Sequence, residues 1–535
     1  MAKLLLLMAF AVAVTASVAL PQKDLVTSRN YWLKNAVPEF LAAQPDANNC
    51  CARTTEARCD GCAPNPCGKN AACFMAAGKK RVCQCNQGFT GTDPWVECIR
   101  KGSGGLNGDP HCRTIDGTKF DYHGRCPYYY SKPCNMSQSS PLYYHVKAQN
   151  IPYPNTAAAI SMVTSIEVFM RGITIYVDLS LRMEVDGRVT SYPFYYPSAT
   201  RRWVSVENRG GTIHIKNQDG VEVKFRRYFV DIDVPHYPQY LGKHGLCGQA
   251  GNMNGDCRDD VIGANGEELV QNDCVYPINA ASNARVAKVL DTWITYDYSH
   301  FDPAAKCPTG QAIAPGIPAC PNAASKTACQ PIKDAISGLG PFAPCVILGQ
   351  DTLQNLYDNC AFDLCVIPKD QKCNLFKVLA VQCQNAVGNM VLPDWRTPTN
   401  CPLNCAATNP FSTYSTCIQC EPTCADTDQR DCDATCYEGC KCQDGYLLDT
   451  ALSPSKCVKE ENCSCKDAQG QYHPPDRTWL SNNCTRVNVC IQHEIYGENY
   501  ACPGNSQCGS ENGSMACVCG QGQKWNPAHD NCIKA

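Results

Sequence analysis

Hydrophobic and polar residues alternate with a period of two through much of the segment between Cys134 and Cys247, which contains no cysteine. Such alternation places apolar side chains on one face of a strand, so this segment must bury that face against another layer. Glycine-containing dipeptides, which are typical of tight hairpins, separate the runs. We therefore predict an antiparallel β-sandwich. The alternating runs are 165–169, 173–177, 212–216 and 221–225, and the turn dipeptides are Arg171-Gly172, Asp186-Gly187, Gly210-Gly211 and Asp219-Gly220.

Two later segments, 351–360 and 372–387, repeat apolar residues at intervals of three and four, which is typical of helices that bury one side. They predict a small helical module after the sandwich. The remaining parts of the chain are rich in cysteine and short of apolar runs. The fold class we expect is multidomain, mainly β and disulfide-rich, with one helical module.

The cysteine content indicates the compartment in which the protein folds, because the 535 residues include 42 cysteines. Reducing cytosol would not keep so many paired, whereas extracellular domains use disulfides in place of a large apolar core. The first residues agree: Lys3 is followed by an apolar run at 4–14 and by small residues, so we expect a signal peptide at 1–19. No later run reaches the roughly 18 apolar residues of a membrane helix. The sequence predicts a secreted protein without a membrane span.

Charge excludes two classes of partner. The 47 basic and 50 acidic residues give a formal net charge of -3 and are scattered in both signs. This pattern offers no attraction for nucleic acid or for an anionic membrane. Glycan acceptors of the Asn-x-Ser/Thr type are expected on loops of a secreted protein, and they occur at Asn135, Asn462, Asn483 and Asn512.

After a segment at 20–58 that we interpret as a linker, the cysteines from Cys62 to Cys98 follow the spacing C-x4-C-x5-C-x9-C-x1-C-x12-C, with Gly-Phe-Thr-Gly at 88–91. Residues 59–100 therefore resemble an EGF-like domain. The resemblance implies a stapled pair of hairpins with little apolar core, in which each bridge contributes about 2 to 4 kcal/mol. The implied bridges are Cys62 to Cys73, Cys67 to Cys83 and Cys85 to Cys98.

Four short sequence motifs flank the predicted sandwich: Gly-Asp-Pro-His at 108–111, Thr-Ile-Asp-Gly-Thr-Lys-Phe at 114–120, Gly-Leu-Cys-Gly at 245–248 and Asn-Met-Asn-Gly at 252–255. Together they resemble a von Willebrand factor type D (VWD) domain at 105–262. The cysteine order that follows resembles a linker and C8 module at 274–400, a trypsin-inhibitor-like module at 401–465 and a small cysteine-rich module at 466–535. These resemblances imply an extracellular or adhesive protein of the zonadhesin, tectorin and mucin type.

Five oxygen-bearing side chains lie within nine residues, around a glycine that permits a tight turn: Asn252, Asn254, Asp256, Asp259 and Asp260. Calcium prefers six to eight hard oxygen ligands at flexible distances, although a solvated Asn/Asp turn explains the same spacing. Resemblance to VWD domains favours calcium as a cofactor and adds a distant ligand from the Asp-Gly turn. The predicted ligands are Asp116, Asn252, Asn254, Asp259 and Asp260, and Asp256 is the weakest of the possible donors.

The Asp109-Pro110 bond is chemically labile, because the Asp carboxyl attacks its own carbonyl while the tertiary amide leaves. In some mucins the same Gly-Asp-Pro-His sequence cleaves itself, with the histidine as proton donor, and this implies a role for His111. The alternative is that these residues only begin a strand. We identify no other catalytic arrangement, so we predict that the protein is not an enzyme. The nearby histidines, His111, His123 and His145, are expected at strand ends or on the surface rather than in a metal centre.

Three functions remain open. The domain set favours a matrix, mucus or adhesive component that binds extracellular proteins or glycans and self-associates. A protease inhibitor would act through the segment at 432–436 of the trypsin-inhibitor-like module, and a secreted oxygenase would resemble the luciferases built on VWD domains. Polymer-forming VWD proteins carry a second cysteine where His244 stands, so we do not expect long disulfide-linked polymers. The pairs Cys59/Cys62 and Cys417/Cys420 fit disulfides better than zinc.

Overall fold

The computed structural model describes residues 62, 65–75, 81–86, 88–108, 111–152, 160–198, 200–277, 280–295, 301, 322–368, 371–386, 391–418, 421–427, 436–452, 454–511, 514–526 and 531–534. The predicted signal peptide and linker lie outside these residues.

Strands dominate up to residue 270. They are β1 (Ala71–Met75), β2 (Arg81–Cys85), β3 (Phe89–Asp93), β4 (Glu97–Asn107), β5 (His111–Arg113), β6 (Lys119–Asp121), β7 (Pro127–Pro133), β8 (Tyr144–Pro152), β9 (Ser161–Met170), β10 (Ile173–Asp178), β11 (Met183–Val185), β12 (Arg188–Thr190), β13 (Phe194–Pro197), β14 (Arg202–Arg209), β15 (Thr212–Asn217), β16 (Glu222–Arg226), β17 (Phe229–Pro235), β18 (Leu246–Cys247), β19 (Val261–Ile262) and β20 (Glu268–Leu269).

Most of these strands form two antiparallel sheets that share one apolar core. One sheet has the order β12-β11-β10-β9-β8-β7-β18, and the other has the order β13-β14-β15-β16-β17-β4-β5-β6, with β3 added to β4. Alternate residues of both sheets, such as Val168, Ile175, Val206 and Phe225, are buried in the core between them. The predicted sandwich is confirmed, and the four alternating runs coincide with β9, β10, β15 and β16.

Strand β4 joins the segment that the sequence predicts to be EGF-like to the sandwich without an intervening linker. It pairs with β3 on the EGF-like side and, further along, with β17 and β5 of the sandwich. Side-chain contacts reinforce the junction: Thr90 Oγ1 donates to the carbonyl of Gly220 at 3.1 Å, and Lys216 Nζ donates to the carbonyl of Gly91 at 3.0 Å. The predicted boundary at residues 100–105 therefore falls inside a continuous strand.

Among the described residues, the helices lie in the second half of the chain. They are α1 (Ala280–Leu290), α2 (Ala323–Ala328), α3 (Gln330–Ile336), α4 (Gln350–Val366), α5 (Lys372–Ala386), α6 (Arg396–Thr399) and α7 (Cys405–Thr408), with 3-10 turns at Cys257–Asp259, Asp291–Trp293, Ala343–Leu348 and Glu460–Asn462. Helix α1 and Trp293 pack into the core of the sandwich, so that core extends well beyond residue 262. None of the helices among the described residues has the length and apolarity needed to cross a membrane.

Helices α2 to α6 surround a second core, in which Phe342, Phe376 and Trp395 contact one another. Three disulfides between described residues hold this core together, and α4 and α5 are the two helices that the sequence predicts. Ile160, immediately before β9, also belongs to this second core, so the sandwich and the helical module share apolar contacts. The disulfides are Cys329–Cys360, Cys345–Cys383 and Cys373–Cys401.

The last part of the chain consists of short hairpins stapled by disulfides, as the cysteine density predicts. The strands are β21 (Ser412–Ile418), β22 (Tyr437–Cys442), β23 (Leu447–Asp449), β24 (Lys456–Val458), β25 (Cys465–Lys466), β26 (Tyr472–His473), β27 (Thr478–Ser481), β28 (Arg486–Ile491), β29 (Glu494–Asn499), β30 (Gln507–Glu511), β31 (Ser514–Val518), β32 (Gln523–Asn526) and β33 (Asn531–Lys534). The disulfides are Cys405–Cys440, Cys417–Cys436, Cys424–Cys463, Cys442–Cys457, Cys465–Cys490, Cys484–Cys508, Cys502–Cys517 and Cys519–Cys532.

Candidate functional site

The loop at 252–260 and the turn between β5 and β6 meet at one edge of the sandwich. The loop leaves β18 after a disulfide that joins Cys247 to Cys134, and it ends in a 3-10 turn held by Cys257–Cys274. Gly255 has φ +85°, a left-handed conformation that glycine adopts without strain. This geometry brings all five predicted ligands into one region, although more than a hundred residues separate Asp116 from the loop.

Asp116 anchors the tip of the loop. Its Oδ2 accepts hydrogen bonds from the backbone N–H of Asn254 at 2.8 Å and of Gly255 at 2.9 Å. Burial raises the pKa of Asp116, and the negative charge of Asp259 raises it further against the effect of the two hydrogen bonds. The ionised carboxylate is therefore held in a place where a nearby cation would stabilise it.

Asp259 is the acceptor for both asparagine side chains. Asn254 Nδ2 lies 3.0 Å from Asp259 Oδ1 and 3.1 Å from Oδ2, and Asn252 Nδ2 lies 3.3 Å from Oδ1. The amide oxygens point the other way, to the backbone N–H groups of Asn254 and Asp256. A rotation of each amide would present oxygen instead of nitrogen to the centre of the loop, and such a rotation is needed for both asparagines to ligate a cation.

Asp260 lies behind the loop and is buried. Its Oδ2 accepts from the hydroxyls of Thr114 and Thr118, and its Oδ1 accepts from the backbone N–H of Asn252 at 3.3 Å. Burial raises the pKa of Asp260 to about 7, and the charge of Asp116 also raises it. Sequence reasoning missed the two threonines, although both flank the Asp-Gly turn that supplies Asp116.

Asp256 has a different role from the other acidic residues. Its carboxylate forms two bonds of 2.7 Å with the guanidinium of Arg258, and its Oδ1 accepts from the backbone N–H of Arg258 at 3.1 Å. These bonds lower the pKa of Asp256 to about 2. The side chain of Asp256 caps the 3-10 turn, and its carboxylate is bonded to Arg258.

The arrangement fits a hard cation in charge and in donor type. The charge of Asp259 raises the pKa of Asp116, the charge of Asp116 raises that of Asp260, and the amides of Asn252 and Asn254 add further oxygen atoms to the loop. The ligand atoms are not yet closely packed. Where the structure describes the chain, clusters of three or more acidic, histidine or cysteine residues whose ligand atoms all lie within 4.8 Å of one another occur at Cys484/Cys502/Cys517 and at Glu421/Cys442/Cys457. The cysteines of these clusters form disulfides.

His111 occupies a separate, buried position at the start of β5. Asp109 and Pro110, the other residues of the predicted self-cleavage site, lie outside the described residues. Nδ1 of His111 is 2.8 Å from Asp121 Oδ1, and Nε2 is 2.8 Å from Asp363 Oδ1 in α4. His111 begins β5 and His145 is the second residue of β8, which are strand-end positions as expected, whereas His123 lies between β6 and β7. None of the three lies on the surface, because their exposed fractions are 6%, 2% and 7%.

The remaining predicted residues are placed as follows. Disulfides join Cys67 to Cys83 and Cys85 to Cys98, the pairs that the EGF-like resemblance implies, and Cys62 and Cys73 are each disulfide-bonded. Asn135, Asn462 and Asn483 are exposed, whereas Asn512 lies outside the described residues. Cys417 is bonded to Cys436 rather than arranged for zinc, and most of the candidate inhibitor segment, 432–435, is outside the described residues.

A two-sheet sandwich with an Asp/Asn loop, followed by a helical disulfide module and small cysteine-rich modules, defines a modular VWD protein. Family models match the von Willebrand factor type D domain at 105–267, the C8 domain at 328–402, the trypsin inhibitor-like cysteine-rich domain at 405–463 and the TILa domain at 464–518. The chain therefore contains regions that match a von Willebrand factor type D domain, a C8 domain, a trypsin inhibitor-like domain and a TILa domain, in that order.

Known proteins align with most of the chain at low identity. The chain is 25% identical to zonadhesin of Oryctolagus cuniculus over 85% of its own length, 28% identical to alpha-tectorin of Homo sapiens over 77%, and 27% identical to IgGFc-binding protein of Homo sapiens over 81%. It spans 19%, 18% and 7% of the lengths of these three proteins. The similarity therefore concerns one portion of each of these larger proteins.

Proposed function

We propose that the protein is a secreted component of an extracellular matrix, mucus or adhesive secretion, and that its VWD domain binds calcium. Its partners are extracellular proteins or glycans, with self-association as a second mode of assembly. The observation that carries the proposal is the meeting of Asp116 with the 252–260 loop. This loop is acidic and rich in oxygen atoms, and the carboxylate of Asp116, which is distant in sequence, closes it. Such a loop is suited to bind a cation, which would stiffen the surrounding surface.

The ligands would be Asp116 and Asp259 at the loop tip, the rotated amides of Asn252 and Asn254, and Asp260 behind them. A bound calcium ion would supply the positive charge that these carboxylates lack. Asp116 fixes the loop backbone through Asn254 and Gly255, and Thr114 and Thr118 orient Asp260. These contacts reduce the rearrangement needed for binding to the two amide rotations and small shifts of the carboxylates.

The disulfides and the relatives support an extracellular location. Bridges are found in every module of the described chain, and such a density is stable only in an oxidising compartment. Cys247, at the corner where polymer-forming members hold a redox-active cysteine pair, is bonded to Cys134 of the same domain. Assembly through this corner is therefore expected to be non-covalent.

Titration calorimetry with calcium chloride on the full secreted chain tests the metal site. We expect a dissociation constant on the order of 10⁻⁴ to 10⁻³ M, which is usual for extracellular modules. Asp259→Asn should weaken binding by at least about tenfold, since it removes the charge that both asparagines face. Asp444→Asn is the matched control, because Asp444 is exposed and lies in the trypsin inhibitor-like region at 405–463 rather than near the 252–260 loop in the sequence.

The adhesive function needs a second measurement. Purified mucin-type glycoproteins and a second copy of the chain would be offered on a surface with and without calcium. Binding that requires calcium and is lost in Asp259→Asn supports the proposal. Calcium binding without any change in these interactions would limit the metal to a structural role, and an absence of calcium binding would overturn the site. No specific observation favours the protease-inhibitor or oxygenase alternatives.

A further inference from the structure

A histidine side chain links the VWD domain to the C8 domain through two carboxylates. His111 lies on β5 and pairs in register with Asp121 on β6, while Asp363 projects from α4, 252 residues further along the chain. Both ring nitrogens lie 2.8 Å from a carboxylate oxygen. Asp121 and Asp363 are 5% and 1% exposed, so water does not replace these bonds when they are lost.

The surrounding contacts leave little room for rearrangement. The ring of Phe362 meets the ring of His111 edge-on, with 5.7 Å between the ring centroids. Gly108 lies so close to Asp363 that an added methyl group would be 2.6 Å from Oδ2. The triad of His111, Asp121 and Asp363 is therefore the polar centre of a close-packed joint between the two domains.

The number of protons held by this triad decides whether both hydrogen bonds of His111 can form. Each ring-to-carboxylate bond needs one proton, and an imidazolium ring supplies both. A neutral ring supplies only one, so that its second nitrogen lone pair faces a carboxylate oxygen unless one Asp is protonated. Two acceptors in contact at a buried site cost about as much as leaving a polar group without a partner. The triad must therefore hold two protons for both bonds to exist.

The neighbouring His123 does not supply the second proton of the triad. His123 interacts electrostatically with Asp121, His111 and Asp363, and also with Arg125. Burial lowers the pKa of His123 to about 4, with the charges of His111 and Arg125 acting in the same direction. His123 is thus neutral above about pH 5, and its two buried ring nitrogens make no hydrogen bond to the described residues.

We propose that His111, Asp121 and Asp363 form a proton-dependent clasp between the VWD and C8 domains, closed at mildly acidic pH and weakened as pH rises. This inference goes beyond calcium binding and adhesion, since it concerns how firmly the two domains are joined. A chain that passes from an acidic secretory vesicle to a less acidic exterior would experience this change. The apolar contacts of Ile160 with the C8 core would hold the domains together when the clasp opens.

Hydrogen exchange of the full chain, corrected for the intrinsic dependence on pH, tests the clasp. Peptides from α4 and from the β5–β6 hairpin should lose protection by roughly tenfold to hundredfold between pH 6 and pH 9, as expected for the loss of a hydrogen bond to a charged group. Peptides from the sandwich core, such as β9, should change much less. Equal protection of α4 at both pH values would overturn the proposal.

Asp363→Asn separates a proton-dependent clasp from a merely structural contact. The Asn side chain can donate to the unprotonated nitrogen of a neutral His111, so both bonds persist without the second proton. We expect the variant to stay protected at pH 9 and to lose the dependence on pH. A variant that retains the wild-type pH profile would contradict the proposal. The control is Asp358→Asn, an exposed residue on the same helix, which should behave as the wild type.

Discussion

Arg396 and Glu438 form a buried, two-pronged ion pair that joins the C8 domain to the trypsin-inhibitor-like domain. Arg396 Nε lies 2.8 Å from Glu438 Oε2, and Nη2 lies 2.7 Å from Oε1. Arg396 also donates to the carbonyl of Cys401 at 3.1 Å, and the backbone N–H of Glu438 donates to Gln384 at 3.2 Å. The two domains therefore meet through a fully paired polar contact rather than through a flexible linker.

Removing one partner of this pair should strongly destabilise the contact. Glu438→Gln leaves the Arg396 guanidinium buried without its counter-charge, and we expect the free energy of unfolding to fall by about 3 to 5 kcal/mol. Denaturant titration of the full chain, followed by tryptophan fluorescence, measures this change. Glu267→Gln is the control, because its ion pair with Lys288 is exposed and should contribute little. Equal effects of the two substitutions would show that the buried pair is dispensable.

Gly108 should tolerate a methyl group less well than another glycine of similar backbone conformation. Both Gly108 (φ +63°) and Gly187 (φ +75°) are left-handed, so alanine costs about 1 kcal/mol of conformational energy at either position. Only at Gly108 would the new Cβ meet Asp363 Oδ2 at 2.6 Å, whereas no atom lies within 4 Å at Gly187. Thermal unfolding should show a larger loss for Gly108→Ala, and a loss equal to that of Gly187→Ala would contradict the packing against Asp363.

Local periodicity predicts much of the sandwich and both long C8 helices, because hairpins and helices depend on residues that are close in sequence. The residues of the 252–260 loop and the Asp-Gly turn could also be singled out from the sequence, and their role as calcium ligands stays a prediction. The partners of His111 were not, because Asp363 is 252 residues away and only the docking of α4 brings it near. The continuity of β4 was missed for a related reason: the cysteine spacing suggests a domain boundary where the backbone pairing continues.

Cleavage at Asp109-Pro110, if it occurs, should not release the N-terminal part of the chain. Strand β4 ends just before this bond and lies between β17 and β5, with Leu106 buried in the core. Lys101 and Ser103 add bonds to Asp233, each at 2.5 Å. After incubation at acidic pH, we expect two fragments on a denaturing gel and a single species on native size exclusion.

Asp109→Asn is the control for that experiment, because it removes the carboxyl that attacks the peptide bond. This variant should stay intact under the same conditions. Separation of the N-terminal fragment on native size exclusion would show that the pairing of β4 does not hold the cleaved chain together. A single intact chain from the wild type would instead show that His111 and the labile bond do not react.

His123 should make the protein sensitive to acid. Burial lowers its pKa from 6.5 to about 4 in the folded state, so the unfolded chain binds the proton more readily between these values. The free energy of unfolding should therefore fall as pH decreases from 6.5 to 4, by roughly 3 kcal/mol, since one pKa unit corresponds to about 1.36 kcal/mol. Above pH 6.5 the ring is neutral in both states and contributes no dependence on pH.

Replacing His123 should reduce this acid sensitivity, although carboxylates elsewhere also titrate in the same range. Denaturant titrations at pH 6.5, 5.5 and 4.5 would compare the wild type with His123→Gln, and the difference between their slopes isolates the histidine. The wild type should lose more stability than the variant over this interval. His244→Gln, at an exposed position, provides the matched control and should keep the wild-type slope. If His123→Gln also keeps that slope, then the buried ring is not the acid-sensitive group.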